Sequence, residues 1–339
     1  MLRRHFAAAV LGLALLGGCG GDPGQRPAPG RQAADQQQLQ AKQTTRPAVS
    51  SGESLQVLDE YVAKFNKAAT GADGRSWQAL LGEPLSATAG ARLRIGHGRP
   101  PERRTIALVN PVLFVPRLDG YPKWFVAAAM ERRGRTGRPH QALLMFTRSG
   151  PDAPWLLANR TITAQKLPKI ATDGQGYAIA VTAATPGRLA VNLNDLAATH
   201  AAYLTSGSGS TFAAGPYTSA WRDGQSATSK RLRDGGWLDT AAFAQTRYPL
   251  AALRTKDGGV LAWYALSRVD SLVSASHAAP DPGAVSREVR DYLGKPPRGA
   301  RTEVRAAWLL LPLAYVPPGG QVSVLGLTTD LTSADTIQH

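Results

Sequence analysis

The chain has a single cysteine, Cys19, among 339 residues. No disulfide can therefore form within one chain, and a metal site built on several cysteines is excluded as well. Packed hydrophobic cores must hold the folded part together, and a hydrophobic content of 43% is ordinary for a chain that buries such cores. A chain of this length is expected to form about two domains, each of roughly 100–200 residues.

The sequence before Cys19 has the outline of a secretory signal peptide over residues 1–18. Basic residues come first, the short apolar run AAAVLGLALL follows, and small residues end the segment. The apolar run is shorter than the roughly 20 residues that a transmembrane helix needs. A transmembrane anchor is therefore the weaker interpretation.

The end of this segment, Leu16, Gly17, Gly18 and Cys19, resembles the lipobox of bacterial lipoproteins. In that family the cysteine thiol receives a diacylglyceryl group, and a signal peptidase that recognises the preceding residues cuts just before it. The resemblance implies a mature chain anchored through acyl chains, such as palmitate, on the extracytoplasmic face of the cell membrane. At least two chains are needed for stable attachment. A cysteine placed here by chance is the alternative.

The first basic residues leave two export routes open. Arg3 and Arg4, followed by His5 and Phe6, fit part of a twin-arginine signal. Any signal peptide carries basic residues at this position, so the general secretory route accounts for them equally well.

Residues 19–52 are poor in apolar side chains and rich in Gly, Pro and Gln. A segment of this composition cannot bury enough apolar surface to offset the entropy lost on ordering. It predicts a disordered tether between the membrane and the folded body.

Residues 53–185 predict a first α+β domain. The segment 53–67 carries apolar residues at helical spacing on one face, which predicts an amphipathic helix. Segments rich in Val, Ile, Leu and aromatic residues predict the strands that follow, at 104–116, 123–133, 140–150 and 154–163. Pro111 is expected to break the first of them. A helix followed by meandering strands favours a curved antiparallel sheet.

Residues 186–335 repeat this plan and predict a second α+β domain. A helix is expected at 193–207, a hairpin at 248–272 that turns at 256–259, and a long strand pair at 304–331 that turns at 316–320. A long polar insert separates the helix from the hairpin. Gene duplication and chance similarity both account for the repeated pattern.

An opening helix packed on a curved antiparallel sheet, once in each half, is similar to the cone-shaped NTF2-like fold, which occurs singly or in tandem in exported bacterial proteins. Two small β-rich domains without a cone are the alternative. As a whole, the Ala-, Arg- and Gly-rich chain with its lipobox resembles uncharacterised lipoproteins of GC-rich Gram-positive bacteria. That resemblance implies no activity.

Enzyme motifs are missing from the sequence. The histidines lie too far apart for the helical pair of a zinc enzyme, and neither a nucleophile-elbow serine nor a phosphate-binding loop is found. We therefore expect no metal and no cofactor. His200 falls on the apolar face of its helix, which favours a core position over proton transfer. Tyr61 and Asp59 are candidates to line a cavity, with packing and solvation as their alternatives.

The net charge of +15 predicts anionic surroundings. Arg132, Arg133, Arg135 and Arg138 form a basic cluster between two predicted strands, where contact with anionic lipid or a cell-wall polymer is expected, and a solvated surface is the alternative. Nucleic acid is not expected, because known modules interleave such charge with stacking aromatics. A protein partner is not specified.

Together these patterns favour a non-enzymatic, lipid-anchored binding module or an accessory subunit that docks onto a membrane complex. The alternative is an exported enzyme with a cavity-based acid–base or hydrolytic mechanism.

Overall fold

A computed structural model describes residues 46–182, 185, 187–275, 280–295 and 301–338. The chain separates into two units, residues 1–44 and a compact unit over residues 45–339. The predictions for the signal peptide, the lipobox and the twin-arginine pair lie outside the described residues, and so do His277 and His339.

The folded body begins before residue 53, where the sequence prediction placed its start. The backbone N–H of Ala48 donates to the carbonyl of Pro116 at 2.8 Å, and Ala48 and Val49 are buried. Ser50 then caps the first helix by accepting a hydrogen bond from the backbone N–H of Glu53. Two buried residues and one cap were too weak a pattern to be recognised in the sequence.

From residue 46 onward, the described residues of the first half form three helices followed by four strands. The helices are α1 Ser51–Thr70, α2 Gly74–Gln78 and α3 Ala89–Ile95, with a 3₁₀ turn at Leu85–Thr88. The strands are β1 Ile106–Phe114, β2 Lys123–Arg133, β3 His140–Arg148 and β4 Leu156–Thr163, all antiparallel in the order β1-β2-β3-β4. The predicted helix and all four predicted strands are present, whereas α2 and α3 were not predicted.

Pro111 does not break its strand, contrary to the sequence prediction. β1 continues through it by means of a bulge between Val109 and Val112, where Asn110 adopts a positive φ of 51°. Proline lacks a backbone N–H, but β1 is an edge strand, so no inner partner loses a ladder hydrogen bond.

In the second half, the part that the structure describes contains three helices and a six-stranded antiparallel sheet. The helices are α4 Leu196–Ser206, α5 Ser219–Asp234 and α6 Arg287–Leu293. The strands are β5 Trp237–Gln245, β6 Ala251–Arg254, β7 Val260–Trp263, β8 Leu266–Ser274, β9 Thr302–Val316 and β10 Ser323–Gln338. The long strand β9 is central, because β8 and β7 pair along one side of it and β10 pairs along the other. The predicted long strand pair is confirmed, and so is the turn at 256–259. The hairpin β6–β7 spans only 251–263, and the rest of the predicted 248–272 segment belongs to β8, which pairs with β5 and β9. α5 and β5 occupy the predicted polar insert.

The first sheet is covered on both faces. On one face Phe125, Leu144 and Phe146 pack against residues of α1 such as Tyr61 and Phe65. On the other face Val126, Leu143 and Met145 join a core with strand residues of the second sheet, among them Leu253, Leu261 and Trp263. The α+β fold with two antiparallel sheets is thereby confirmed. The boundary between residues 185 and 186, the duplication and the NTF2-like cone stay predictions.

In the part of the chain that the structure describes, no helix is both long enough and apolar enough to cross a membrane.

Candidate ligand-binding cavity

A cavity of about 830 Å³, here called the first cavity, lies between α1–α3 and the helix-covered face of the first sheet. Its volume is within the range of small-molecule sites. Its floor is apolar and is formed by Phe65, Trp77, Leu81, Leu85, Leu157 and Ile162. Its polar wall carries arginines and carboxylates from both halves of the chain, namely Arg92, Glu102, Arg103, Arg133, Arg160, Arg287, Glu288, Asp291 and Asp330.

The charged wall is built around Glu131 on β2, whose side chain is 1% exposed. Arg160 on β4 holds both carboxylate oxygens, donating from Nε to Oε2 at 2.8 Å and from Nη2 to Oε1. Arg133 donates from Nε to Oε1 at 3.1 Å. A buried carboxylate needs partners of this kind, because an unpaired charge in a core is strongly destabilising. Glu131 therefore fixes the positions of two arginines that line the cavity.

The network extends towards the cavity mouth through Glu102. Arg133 donates from Nη1 to Glu102 Oε2 at 2.8 Å, and Arg104 donates to Glu102 Oε1 from its backbone N–H and its Nε. Burial acts to raise the pKa of Glu102, but these hydrogen bonds and the charge of Arg133 outweigh it, so the pKa lies below its usual value. Glu102 is thus an ionised partner and a poor proton carrier.

A second ion pair joins the two halves of the chain at the cavity. Arg92 of α3 donates from Nε to Oδ1 of Asp330 on β10 at 3.0 Å. The other oxygen of Asp330, Oδ2, is buried and has no hydrogen-bond partner among the described residues. Nearby, burial and the charge of Asp330 raise the pKa of Glu288, although a backbone hydrogen bond from Leu331 and the charge of Arg92 oppose the change.

Tyr61 lines this cavity, as the sequence analysis considered, and it is also a core residue. Its ring centroid lies 5.9 Å from that of Phe65 and 5.3 Å, edge to face, from that of Phe146. Burial raises the pKa of Tyr61 well above its usual value, so its hydroxyl stays protonated at neutral pH. Asp59 is exposed on the opposite side of α1 and does not line the cavity.

The arrangement is suited to binding more than to proton transfer. The carboxylates nearest the floor are already held by arginines, whereas the arginines keep unused donors. Nη1 of Arg160 and Nη1 of Arg92 have no partner within the described ranges. The wall therefore offers fixed N–H donors above an apolar floor, which suits a molecule with an apolar body and a polar or anionic end.

The basic cluster between β2 and β3 divides into two groups. Arg133 points into the network with Glu131, because residues two apart on a strand share a face. Arg132, Arg135 and Arg138 are exposed. The four arginines predicted as one basic cluster are therefore three exposed residues and one, Arg133, that is half-buried in the ion-pair network.

His200 does not line the cavity. It is fully buried in the second half, where its ring stacks on Phe212 at a centroid distance of 4.6 Å and its Nδ1 lies 2.8 Å from the hydroxyl of Tyr264. Burial lowers the pKa of His200 to about 3, so the ring is neutral. The predicted core histidine is confirmed. Among the described residues, no group of His, Cys, Asp and Glu is arranged to hold a metal ion.

Comparison with known proteins identifies the family. The model of a family described as a domain of unknown function, DUF8094, matches residues 45–336, so the chain belongs to that family. No solved structure matches the chain.

Named relatives come from Streptomyces. An uncharacterised lipoprotein of Streptomyces coelicolor is 29% identical over 85% of this chain and 86% of its own length. An uncharacterised lipoprotein of Streptomyces avermitilis is 30% identical over 68% and 69%, and a second one of Streptomyces coelicolor is 28% identical over 97% and 92%. The prediction of a lipoprotein resembling uncharacterised lipoproteins of GC-rich Gram-positive bacteria is confirmed.

Proposed function

We propose that this protein is a lipid-anchored, extracytoplasmic binding protein whose ligand site is the first cavity. The lipoprotein class of its relatives and the sequence around Cys19 support the anchor. Export through a signal peptide ending at Gly18 and acylation of Cys19 would hold the folded body at the outer face of the membrane.

The main support for a binding function is the charged wall of the first cavity, whose arginines and carboxylates pair with one another. The charged side chains of this wall are already hydrogen-bonded to one another in the absence of a ligand; they are Glu131, Arg160, Arg133 and Glu102. The wall is therefore preorganised, and ligand binding requires little rearrangement of these side chains. The spare guanidinium donors and the apolar floor select an amphipathic small molecule with an anionic or acceptor group at one end.

Arg132, Arg135 and Arg138 support a surface role next to this site. They are exposed on one turn, and a tethered body holds them close to anionic lipid head groups. Replacing the three by glutamine should weaken binding to vesicles containing anionic lipid and flatten its salt dependence. An unchanged binding curve would mean that these charges are merely solvated.

The anchor is tested by Cys19→Ala in the full chain. We expect the protein to leave the membrane fraction or to accumulate as uncleaved precursor, with Cys19→Ser behaving in the same way because only a thiol forms the thioether. Normal processing and membrane retention of either variant would contradict the anchor.

The cavity is tested by equilibrium binding of anilinonaphthalene sulfonate, which joins an apolar ring system to an anion. The acylated full chain is placed in nanodiscs, and empty nanodiscs provide the blank. We expect saturable binding that Leu327→Trp weakens by about tenfold or more, because the larger side chain fills the cavity where Leu327 lines it. Leu238→Trp is the matched control, since Leu238 is 55% exposed and does not line the cavity. Equal binding by both variants would contradict the proposed site.

Acid–base catalysis is a second candidate, and Glu288 is the observation that favours it. Its raised pKa and its place on the cavity wall are features of a proton donor. Turnover of a bound ester or glycoside that Glu288→Gln abolishes, without loss of probe binding, would favour this function over simple binding.

A further inference from the structure

A second cavity, of about 840 Å³, lies beneath α5 and above strands β5, β8 and β9 of the second sheet. It shares no lining residue with the first cavity. The two cavities are therefore separate candidate sites.

The cavity exists because α5 covers the sheet without packing tightly on it. Leu232 is the buried residue of this helix, and Trp221, near its other end, is half-buried. Most helices in proteins are stabilised by a continuous apolar face, which α5 lacks. Beneath the middle of α5 the sheet presents small side chains, because Ala241 and Ala306 flank Asp270 on the neighbouring strands. These short side chains leave space between the helix and the sheet.

The centre of this floor carries a buried ion pair between aromatic rings. Asp270 is 9% exposed, and Arg268 donates from Nε to its Oδ1 at 2.6 Å. The Arg268 guanidinium lies 5.6 Å from the ring centroid of Trp221 and 5.7 Å from that of Phe243. Trp308 is the direct cross-strand neighbour of Arg268 on β9 and lines the same cavity.

The roof of this cavity is polar but uncharged at its centre. Gln225, Ser226, Thr228 and Ser229 of α5 line it. Thr228 donates its hydroxyl to the carbonyl of Gly224 and Ser229 donates to Asp239, so these two offer acceptor oxygens. The amide of Gln225 and the hydroxyl of Ser226 can both donate and accept. A carboxylate and a guanidinium below, with hydroxyls and an amide above, form a surface that matches many hydroxyl groups at once.

We propose that the second cavity binds a saccharide unit. Sugar rings present an apolar face of C–H groups that stacks on tryptophan, and their hydroxyls hydrogen-bond to carboxylate, guanidinium and amide groups together. A phosphate-bearing planar ligand is the competing occupant, because Arg222, Arg231, Arg233 and Arg268 line the cavity beside Asp239 and Asp270. The uncharged amide and hydroxyl groups at the centre of the roof favour the polyol. Burial raises the pKa of Asp270, which eases its contact with a polyol.

The test uses the acylated full chain in nanodiscs and isothermal titration with diacetylchitobiose, cellobiose and maltose. We expect saturable binding of at least one of these disaccharides. Ser226→Trp should weaken that binding by about tenfold or more, because Ser226 is exposed at the roof and the larger ring fills the space without entering the core. Ala227→Trp is the matched control, since its neighbouring position is exposed and does not line the cavity.

A further variant distinguishes loss of ring stacking on the saccharide from steric blockage of the second cavity. Trp221→Ala should weaken binding of the disaccharide while leaving binding of anilinonaphthalene sulfonate to the first cavity unchanged. The saccharide site would be overturned if none of the three disaccharides binds, or if Ser226→Trp and Ala227→Trp bind equally. It would also be overturned if adenosine triphosphate binds more tightly than every disaccharide and Ser226→Trp removes that binding.

Discussion

Each half of the molecule buries a carboxylate beside a cavity, and the two carboxylates are held differently. Glu131 in the first half has two arginine partners, which Glu102 extends into a network. Asp270 in the second half has one arginine partner, and that arginine lies between aromatic rings. The first wall is therefore fixed by charge pairing, whereas the second depends on stacking and on a loosely packed helix.

The helices that cover the two cavities, α1 and α5, also differ in how tightly they pack on their sheets. α1 buries Leu58, Tyr61 and Phe65 against the first sheet, so packing determines its position. α5 buries Leu232, and space remains beneath the rest of it. Burial of about three large side chains against one is a difference of several kcal/mol in packing free energy.

The largest expected effect is on the free energy of unfolding when each carboxylate is removed. Glu131→Ala should destabilise the protein by roughly 4 kcal/mol, because Arg160 loses its carboxylate partner and Arg133 keeps only Glu102. Asp270→Ala should cost less, about 3 kcal/mol, because only the single pair with Arg268 is lost. Chemical denaturation of the full chain measures both.

Glu60→Ala provides the control for these two variants. Glu60 forms an exposed pair with Lys64 one turn along α1, and removing it should leave stability nearly unchanged. If Asp270→Ala lowers the free energy of unfolding more than Glu131→Ala does, charge pairing does not hold the wall of the first cavity more strongly than that of the second.

The next effect concerns pH, because the described histidines of the first half, His97 and His140, are exposed while His200 is buried in the second. In the unfolded chain His200 has its ordinary pKa of 6.5 and is protonated below that pH. In the folded chain its pKa is about 3, so it stays neutral until the pH falls to that value. Stability should therefore fall by about 1.4 kcal/mol per pH unit through that window, or about 2 kcal/mol at pH 5.

Denaturation midpoints of His200→Phe measured from pH 7 to pH 4.5 check this expectation. The variant should lose this part of the pH dependence, because phenylalanine keeps the stacking on Phe212 but cannot titrate. An undiminished slope would assign the acid sensitivity to other groups.

The smallest effect tests where the first half begins. Ser50→Ala should cost about 1 kcal/mol, because it removes the cap that accepts from the backbone of Glu53. Ser51→Ala is the matched control and should be nearly neutral, since Ser51 is exposed within the first turn. Equal effects would place Ser50 in the tether, as the sequence prediction had it.

Strong periodicity made most of the fold predictable. α1, the first four strands, the β6–β7 hairpin and the β9–β10 pair all carry apolar residues at the spacing of their element. α5 was missed because its sequence is mostly polar, and it could be recognised only from the sheet that it covers. α2 and α3 are too short to show a period.

The candidate site was harder to predict, because its partners are distant in sequence. Glu131 and Arg160 meet across two adjacent strand pairings, and Arg92 meets Asp330 from the other end of the chain. A signal was present at Glu131 and Arg133, which share a face of β2, but the neighbouring arginines suggested a uniform basic surface. Tyr61, which the sequence offered as a cavity residue with packing as its alternative, lines the cavity together with Phe65 of the same predicted helix.

Native mass spectrometry of the acylated full chain purified from its own membrane tests the central claim most directly. The account predicts that the chain carries a small amphipathic molecule in addition to its acyl groups, and that Leu327→Trp arrives without it while Leu238→Trp retains it. A chain whose mass is explained by the protein and its acyl groups alone, or an adduct equally present in both variants, would contradict a binding site in the first cavity.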